Sequence, residues 1–238
     1  NQVAKALIRA KQRGVVVKLL IERAPYKAVN ENQWIVNLLK KNGIEVKDSS
    51  SQFAFTHQKT LVLDKKEAIV MTGNFTKAST TERNFGLITH NSAAINEILR
   101  GFNADWDRKK FSPKVESLVW SPNNSTTKLV DLISSAKKRI EIYNQEVGSY
   151  VIGQALKNAA KRGVNVEFLL PLKRYSKYQT IISSLVKAGV HVRLPKTLYI
   201  HAKAILVDDG LPDQRTFVGS INFSCYSLNE NRELGMVV

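Results

Sequence analysis

Two stretches of the chain, THQKTLVLD at 56–64 and IHAKAILVD at 200–208, place a lysine two residues after a histidine and an aspartate five after the lysine. An imidazole can attack an electrophile or carry a proton near neutral pH, and an ammonium supplies fixed positive charge for an anion. In extended backbone, residues two apart point the same way, so His57 shares a face with Lys59, and His201 with Lys203. Downstream, MTGNFT (71–76) and VGSINFS (218–224) each offer an amide, Asn74 or Asn222. A hydroxyl stands two residues before each, on Thr72 or Ser220.

The elements that must position these groups come from an internal repeat. AKALIRAKQRGVVVKLLIE (4–22) parallels IGQALKNAAKRGVNVEFLLP (152–171), and ENQWIVNLLKKNGIEVK (31–47) parallels YQTIISSLVKAGVHVRL (178–194). Each block reads as a helix, a glycine stop and a β-branched strand. The two histidine-bearing stretches follow in the same order. Helix–strand alternation with apolar strands predicts an α/β fold with a largely buried sheet in each half. A first repeat over 1–112 and a second over 113–238 are expected, divided at the Ser112-Pro113 turn. The second repeat opens with a predicted strand at 115–120, a helix near 126–138 and a strand at 139–146, for which the first has no counterpart. The first instead continues into a predicted helix over 92–107, and the second ends at Val238. A trimmed core or fragment is therefore expected.

The 238 residues carry 36 Lys plus Arg against 20 Asp plus Glu, a formal net charge of +16, which favours polyanionic partners. Cys225 is the single cysteine, which excludes an internal disulfide framework and a cysteine-based zinc site. No apolar run approaches the roughly 18 residues of a membrane-spanning helix.

The set His-x-Lys, Asp five on, then Gly-Ser-x-Asn resembles the HKD signature of the phospholipase D superfamily, and it occurs here in two copies within the repeat. The resemblance implies two repeats related by a pseudo-twofold axis, each a mixed sheet flanked by helices, joined at one active centre in a monomer. It also implies a phosphodiesterase working through a phosphohistidine. One neutral imidazole attacks phosphorus, and the other, protonated, gives its proton to the leaving alcohol and then activates the acceptor. Lys59, Lys203, Asn74 and Asn222, with the hydroxyls of Thr72 and Ser220, are expected to hold the phosphoryl oxygens. The imidazoles should lie within about 8 Å of each other, given the reach of hydrogen-bonded catalysis. Asp64 and Asp208 complete the catalytic signature, with a structural role expected for both. No metal and no cofactor is expected.

The copies depart from one another. Met71 and Thr72 stand where the signature has Gly-Ser. In the family a carboxylate orients the nearby histidine, and NRE (231–233) supplies it as Glu233. Aligning NFG (84–86) with that triplet puts Gly86 in its place. Glu233 is thus expected behind His201, making His201 the nucleophile and His57 the acid–base partner, with Glu82 a substitute behind His57. His90, His191 and Cys225 are read as non-catalytic, with Cys225 packed.

The favoured substrate is a phospholipid at an anionic membrane surface, with hydrolysis or transfer of a phosphatidyl group. The alternatives are a metal-independent nuclease using the same centre and a catalytically weak polyanion-binding module. Loops after the matched strands mix basic and aromatic residues: Arg23, Tyr26 and Lys27, then Lys173, Arg174, Tyr175, Lys177 and Tyr178. That mixture suits single-stranded nucleic acid and an anionic bilayer equally. Phe53, Phe55, Leu198 and Tyr199, just before the histidines, add apolar surface that favours lipid.

Overall fold

The computed structural model describes residues 2–22, 25 and 32–238. The first half runs α1 (Gln2–Gln12), β1 (Lys18–Ile21), α2 (Gln33–Lys41), β2 (Glu45–Asp48), β3 (Thr60–Leu63), β4 (Glu67–Met71), β5 (Gly86–Thr89) and α3 (Ser92–Trp106). The second opens with β6 (Leu118–Ser121), α4 (Ser125–Ser134), β7 (Arg139–Tyr143), α5 (Tyr150–Lys161), β8 (Asn165–Leu169), α6 (Tyr175–Lys187) and β9 (His191–Arg193). It closes with β10 (Ala204–Val207), β11 (Arg215–Gly219), α7 (Cys225–Asn229) and β12 (Glu233–Val237).

Local chemistry explains the elements. In α5, Ile152, Leu156 and Ala159 recur at helical spacing and are all buried. Its N-cap is Ser149, whose hydroxyl accepts the Ile152 N–H, and Gly163 leaves the helix at φ 87°. Helix α3 is capped the same way by Asn91, whose side chain accepts from the Ala94 N–H. In β8, Val166 and Phe168 alternate inward, as a half-buried strand requires.

Both halves are α/β. The second holds a seven-stranded mixed sheet in the order β6-β12-β11-β10-β7-β8-β9, with β7, β8 and β9 parallel. In the first half β1 pairs with β2 in parallel, and β3-β4-β5 form an antiparallel sheet. These correspond to β8-β9 and β10-β11-β12. In the second half β7 sits between the two groups. Among the described residues, no strand takes that place in the first half, where the sequence offered no counterpart of 139–146, so its sheet is divided.

The halves share a core. Ala68, Val70, Ile95 and Ile98 of the first pack with Leu118, Trp120, Leu234 and Met236 of the second. Gly101 in α3 meets the Trp120 indole so closely that an added Cβ would lie 2.7 Å from the ring. That seam brings together the ends of the two sheets that carry His57 and His201.

Candidate active site

His57 and Lys59 lie in irregular extended chain just ahead of β3, and His201 and Lys203 just ahead of β10. Each stretch is held by the opposite half. The His57 N–H donates to the Arg232 carbonyl at 2.9 Å, and the Arg232 N–H to the Phe55 carbonyl at 2.8 Å. The mirror pair joins the His201 N–H to the Arg83 carbonyl at 3.2 Å and the Arg83 N–H to the Tyr199 carbonyl at 2.9 Å. Arg83 therefore corresponds to Arg232, and Asn84 to Glu233. The Thr72 N–H to Phe85 carbonyl bond, matched by Ser220 N–H to Leu234 carbonyl, fixes the same register.

This crossing corrects the expected partner of Glu233. The fully buried Glu233 accepts a hydrogen bond from His57 Nδ1 at 2.8 Å, across the seam, and does not serve His201. Its other oxygen accepts from the Ser227 hydroxyl and from the Asn231 amide at 3.2 Å. The residue behind His201 is Asn84 of the first half, whose Oδ1 lies 3.0 Å from His201 Nδ1. That oxygen also accepts from Thr72 Oγ1 at 3.0 Å, and the Asn84 amide donates to the Ser79 carbonyl at 3.2 Å. Glu82 Oε2 stands 3.9 Å from His201 Nδ1, so it lies by His201 and not by His57. Gly86 opens β5 and faces the Met71 side chain, away from the role expected at its position. Each ring holds its Nδ1 hydrogen on a fixed acceptor, leaving Nε2 for chemistry.

The lysines are buried beside their histidines. Lys59 donates to the His57 carbonyl and Lys203 to the His201 carbonyl. Lys203 also reaches Gln145 Oε1 at 3.3 Å, and the Gln145 amide donates to the Tyr199 hydroxyl at 2.8 Å. Burial pushes Lys59 well below its ordinary 10.5 and Lys203 down to about 7, with Glu233 opposing both shifts. His201 is lowered to about 2 by burial and by the charges of Lys203, Lys59 and His57. His57 is also lowered by burial, but Glu233 works against that shift. Burial would raise Glu233, yet His57, Lys59 and the Ser227 hydroxyl hold it below the usual carboxylate value. Each histidine thus titrates in the field of the other half's lysine. The site thus gathers two histidines and two lysines whose charged forms burial disfavours, an arrangement suited to an arriving anion.

Other expected site residues fall elsewhere. Thr72 and Ser220, expected on phosphate, are fully buried and engaged behind the site. Thr72 accepts from the Phe85 N–H and donates to Asn84, while Ser220 Oγ bonds Leu234. Asp208 lies away from the histidines, in the structural place expected of it. At the far end of β10 its carboxylate accepts the backbone N–H groups of Lys137, Lys138 and Arg139 at 2.7–3.0 Å. Asp64 is exposed at the corresponding end of β3, so the two aspartates differ. Asn222 is half-buried, and its side-chain oxygen is enclosed with no hydrogen-bond partner among the described residues; Asn74 is exposed. Cys225 is exposed at the start of α7 and not packed, whereas His90 and His191 lie exposed outside the site. Phe55 lies 5.7 Å from the His57 ring, but Phe53 stacks on the Arg232 guanidinium instead. Tyr178 is buried, and Arg23, Tyr26 and Lys27 lie outside the described residues.

Sequence reading missed Asn84, Gln145 and the buried pair Arg232–Asp105. Arg232 grips Asp105 of α3 through Nε at 2.8 Å and Nη2 at 2.6 Å, with Trp120 and Phe111 against its guanidinium. It fixes the backbone that carries both Glu233 and the His57 hydrogen bond. Arginine at both 83 and 232 was a visible signal for the register that pairs Asn84 with Glu233.

A family model described as "Cardiolipin synthase, PLD-like domain" matches residues 1–106 and 129–238, one region in each half. The chain belongs to this phospholipase-D-like family. Cardiolipin synthase A of Buchnera aphidicola subsp. Acyrthosiphon pisum (strain APS) is 24% identical over 284 residues, covering all of this chain and 57% of the relative. A cardiolipin synthase of Clostridium perfringens (strain SM101 / Type A) is 26% identical over 287 residues, covering all of the chain and 58% of the relative. The chain thus spans little more than half the length of these relatives. Among solved structures, phosphatidylserine synthase of Haemophilus influenzae Rd KW20 superposes with a TM-score of 0.73 at 13% identity, over 99% of this chain and 72% of that one. Polyphosphate kinase from Porphyromonas gingivalis gives 0.72 at 16%, over 100% and 41%. Two such differently named proteins share this fold, so the fold alone does not choose the reaction. Among the described residues no helix is long and apolar enough to cross a membrane.

Proposed function

We propose that this phospholipase-D-like domain transfers or hydrolyses a phosphatidyl group at one centre built from both halves, with His57 as nucleophile and His201 as acid–base partner. The observation that carries this reading is the crossed pairing of His57 with Glu233 and of His201 with Asn84. Attack by His57 Nε2 on phosphorus leaves the ring cationic for the lifetime of the intermediate. A carboxylate on Nδ1 stabilises that charge, and an amide does so less. This reverses the assignment expected when Glu233 was placed behind His201.

The steps balance without further reagents. As the bond from His57 Nε2 to phosphorus forms, the bond to the leaving alcohol breaks and that oxygen takes a proton from His201 Nε2. His201 then removes a proton from the incoming alcohol or water, which attacks phosphorus and releases neutral His57. Lys59 and Lys203 stabilise the charge on the equatorial oxygens. His201 is neutral in the free protein. The phosphodiester anion offsets the lysine charges that depress it, so substrate binding brings the proton.

The cardiolipin synthases matched across the whole chain favour a phospholipid over nucleic acid. The test incubates the purified protein with choline and glycerol phospholipids, beside single-stranded DNA, with and without a chelator. Phosphatidyl transfer or release that survives chelation is expected, since the lysines supply the positive charge. Preferential DNA cleavage would move the same mechanism to a nucleic-acid backbone. Loss of activity on chelation, restored by a divalent ion, would contradict it.

A further inference from the structure

We infer that the loops around the mouth of this site form a docking surface for an anionic phospholipid bilayer, with Tyr150, Tyr226, Val151 and Leu172 entering the interface. This rests on the phosphatidyl reading above and adds the surface that would bring the site to its substrate. The loops after β7, β8 and β11 all leave the sheet at the end where His201 and Lys203 lie, because β10 runs antiparallel to both β7 and β11, and β8 parallel to β7.

These loops are tied together. Val147 bridges Phe223, and the Ser149 N–H donates to the Phe223 carbonyl at 2.8 Å, so the starts of α5 and α7 stand side by side. Arg174 and Lys177 both approach Glu146, at 4.0 and 3.5 Å, bringing the start of α6 to the same loop. Lys173 lies 5.8 Å over the Tyr199 ring, and Tyr199 leads through Gln145 to Lys203. The rim and the catalytic lysine are therefore one connected structure.

On that rim, apolar side chains face solvent where nothing in the fold needs them. Tyr150 is 79% exposed, Tyr226 64%, Val151 48% and Leu172 43%. Single exposed apolar residues are ordinary, but a set gathered on adjoining loops around one mouth marks an interaction surface. Tyrosine combines an apolar ring with a hydroxyl suited to the headgroup layer. Lys173, Arg174 and Lys177 beside it, on a chain of net charge +16, complement anionic lipid. The aliphatic members decide against single-stranded nucleic acid. Bases stack on aromatic rings, whereas exposed valine and leucine gain only by entering an acyl layer.

The test floats the full chain with vesicles of phosphatidylcholine alone and of equimolar phosphatidylcholine and phosphatidylglycerol. The variants are Tyr150→Ser with Tyr226→Ser, and Val151→Ser with Leu172→Ser, and hydrolysis of the water-soluble bis(p-nitrophenyl) phosphate is followed in parallel. Wild type should bind the mixed vesicles more tightly than the neutral ones. Each double variant should lose about tenfold or more in vesicle affinity while retaining soluble-diester hydrolysis and thermal midpoint. Variants that bind mixed vesicles like wild type, or a wild type that binds none, would overturn the surface. Lipid turnover in detergent micelles separates the two claims. Turnover there with unaltered vesicle binding in the variants sinks only the surface. Vesicle binding lost in the variants, without any lipid turnover by wild type, sustains the surface and sinks the phosphatidyl reading.

Discussion

His57 and His201 occupy matching positions in the two halves, but the groups behind them differ in charge. Glu233 behind His57 is a buried carboxylate with two further donors, Ser227 and Asn231, holding it in place. Asn84 behind His201 is an amide pinned by Thr72 and Ser79. Both acceptors fix a ring tautomer, and only one can neutralise a ring that becomes cationic. A duplicated half-site has thus become directional through one difference, carboxylate against amide. The lesson is that an internal repeat conserves geometry more readily than it conserves electrostatics.

The largest effect should come from the nucleophile itself. His57→Asn is expected to lower kcat by about 10^4-fold or more, and His201→Asn by about 10^2 to 10^4-fold with an ordinary alcohol leaving group. With a p-nitrophenyl leaving group, which departs without a proton, the first step of His201→Asn should recover and that of His57→Asn should not. Burst kinetics read this difference, and equal recovery in both variants would erase the asymmetry.

Replacing Glu233 by Gln should cost about 10 to 100-fold in kcat, whereas Asn84→Ala should cost less. Asn84→Asp sharpens the comparison further. A second carboxylate would raise the His201 pKa, so the basic limb of the pH–rate profile should move upward. A profile identical to wild type would show that Asn84 does not govern His201.

Arg232→Met tests the frame and not the chemistry. It strands the buried Asp105 carboxylate, whose pKa burial already raises, and should cost about 3–5 kcal/mol of stability. Chemical denaturation measures this. Arg83, its counterpart at the His201 side, should be the milder site by comparison.

A further effect concerns Lys203, whose pKa falls from 10.5 unfolded to about 7 folded. Between those values the unfolded chain holds the extra proton, so this group's contribution to stability is complete above 10.5 and is lost as pH falls to about 7. The thermal midpoint of the ligand-free protein should therefore rise with pH across that window, and rise less in Lys203→Met. Orthovanadate or phosphate binding should weaken over the same window and should take up protons near neutrality.

Much of this was legible in the sequence. His57, Lys59, His201 and Lys203 were readable because their spacing is local and occurs twice, and the helix–strand blocks because apolar periodicity and glycine stops are local too. What failed was long-range. Aligning Asn84 with Asn231, a match of identical residues, slipped the register by two and hid the true counterpart of Glu233. Which histidine Glu233 serves depends on chain segments crossing the seam, which no spacing along the sequence encodes. Thr72 and Ser220 looked like phosphate ligands because hydroxyls and donors are interchangeable on paper. Burial and the neighbouring carbonyls, amides and Asn84 decide otherwise. Asp64 and Asp208 carry one motif position but only Asp208 has the N–H groups of Lys137–Arg139 to accept.

The central claim, that the carboxylate-backed ring takes the phosphoryl group, is tested most directly by locating the adduct. His201→Asn and His57→Asn would each be mixed with a p-nitrophenyl phosphodiester, quenched in alkali and digested for mass spectrometry. The predicted result is an adduct on His57 in the His201→Asn protein and none in the His57→Asn protein. An adduct on His201 in the His57→Asn protein would contradict the account, and would make Glu233 the group that keeps His57 protonated as the acid.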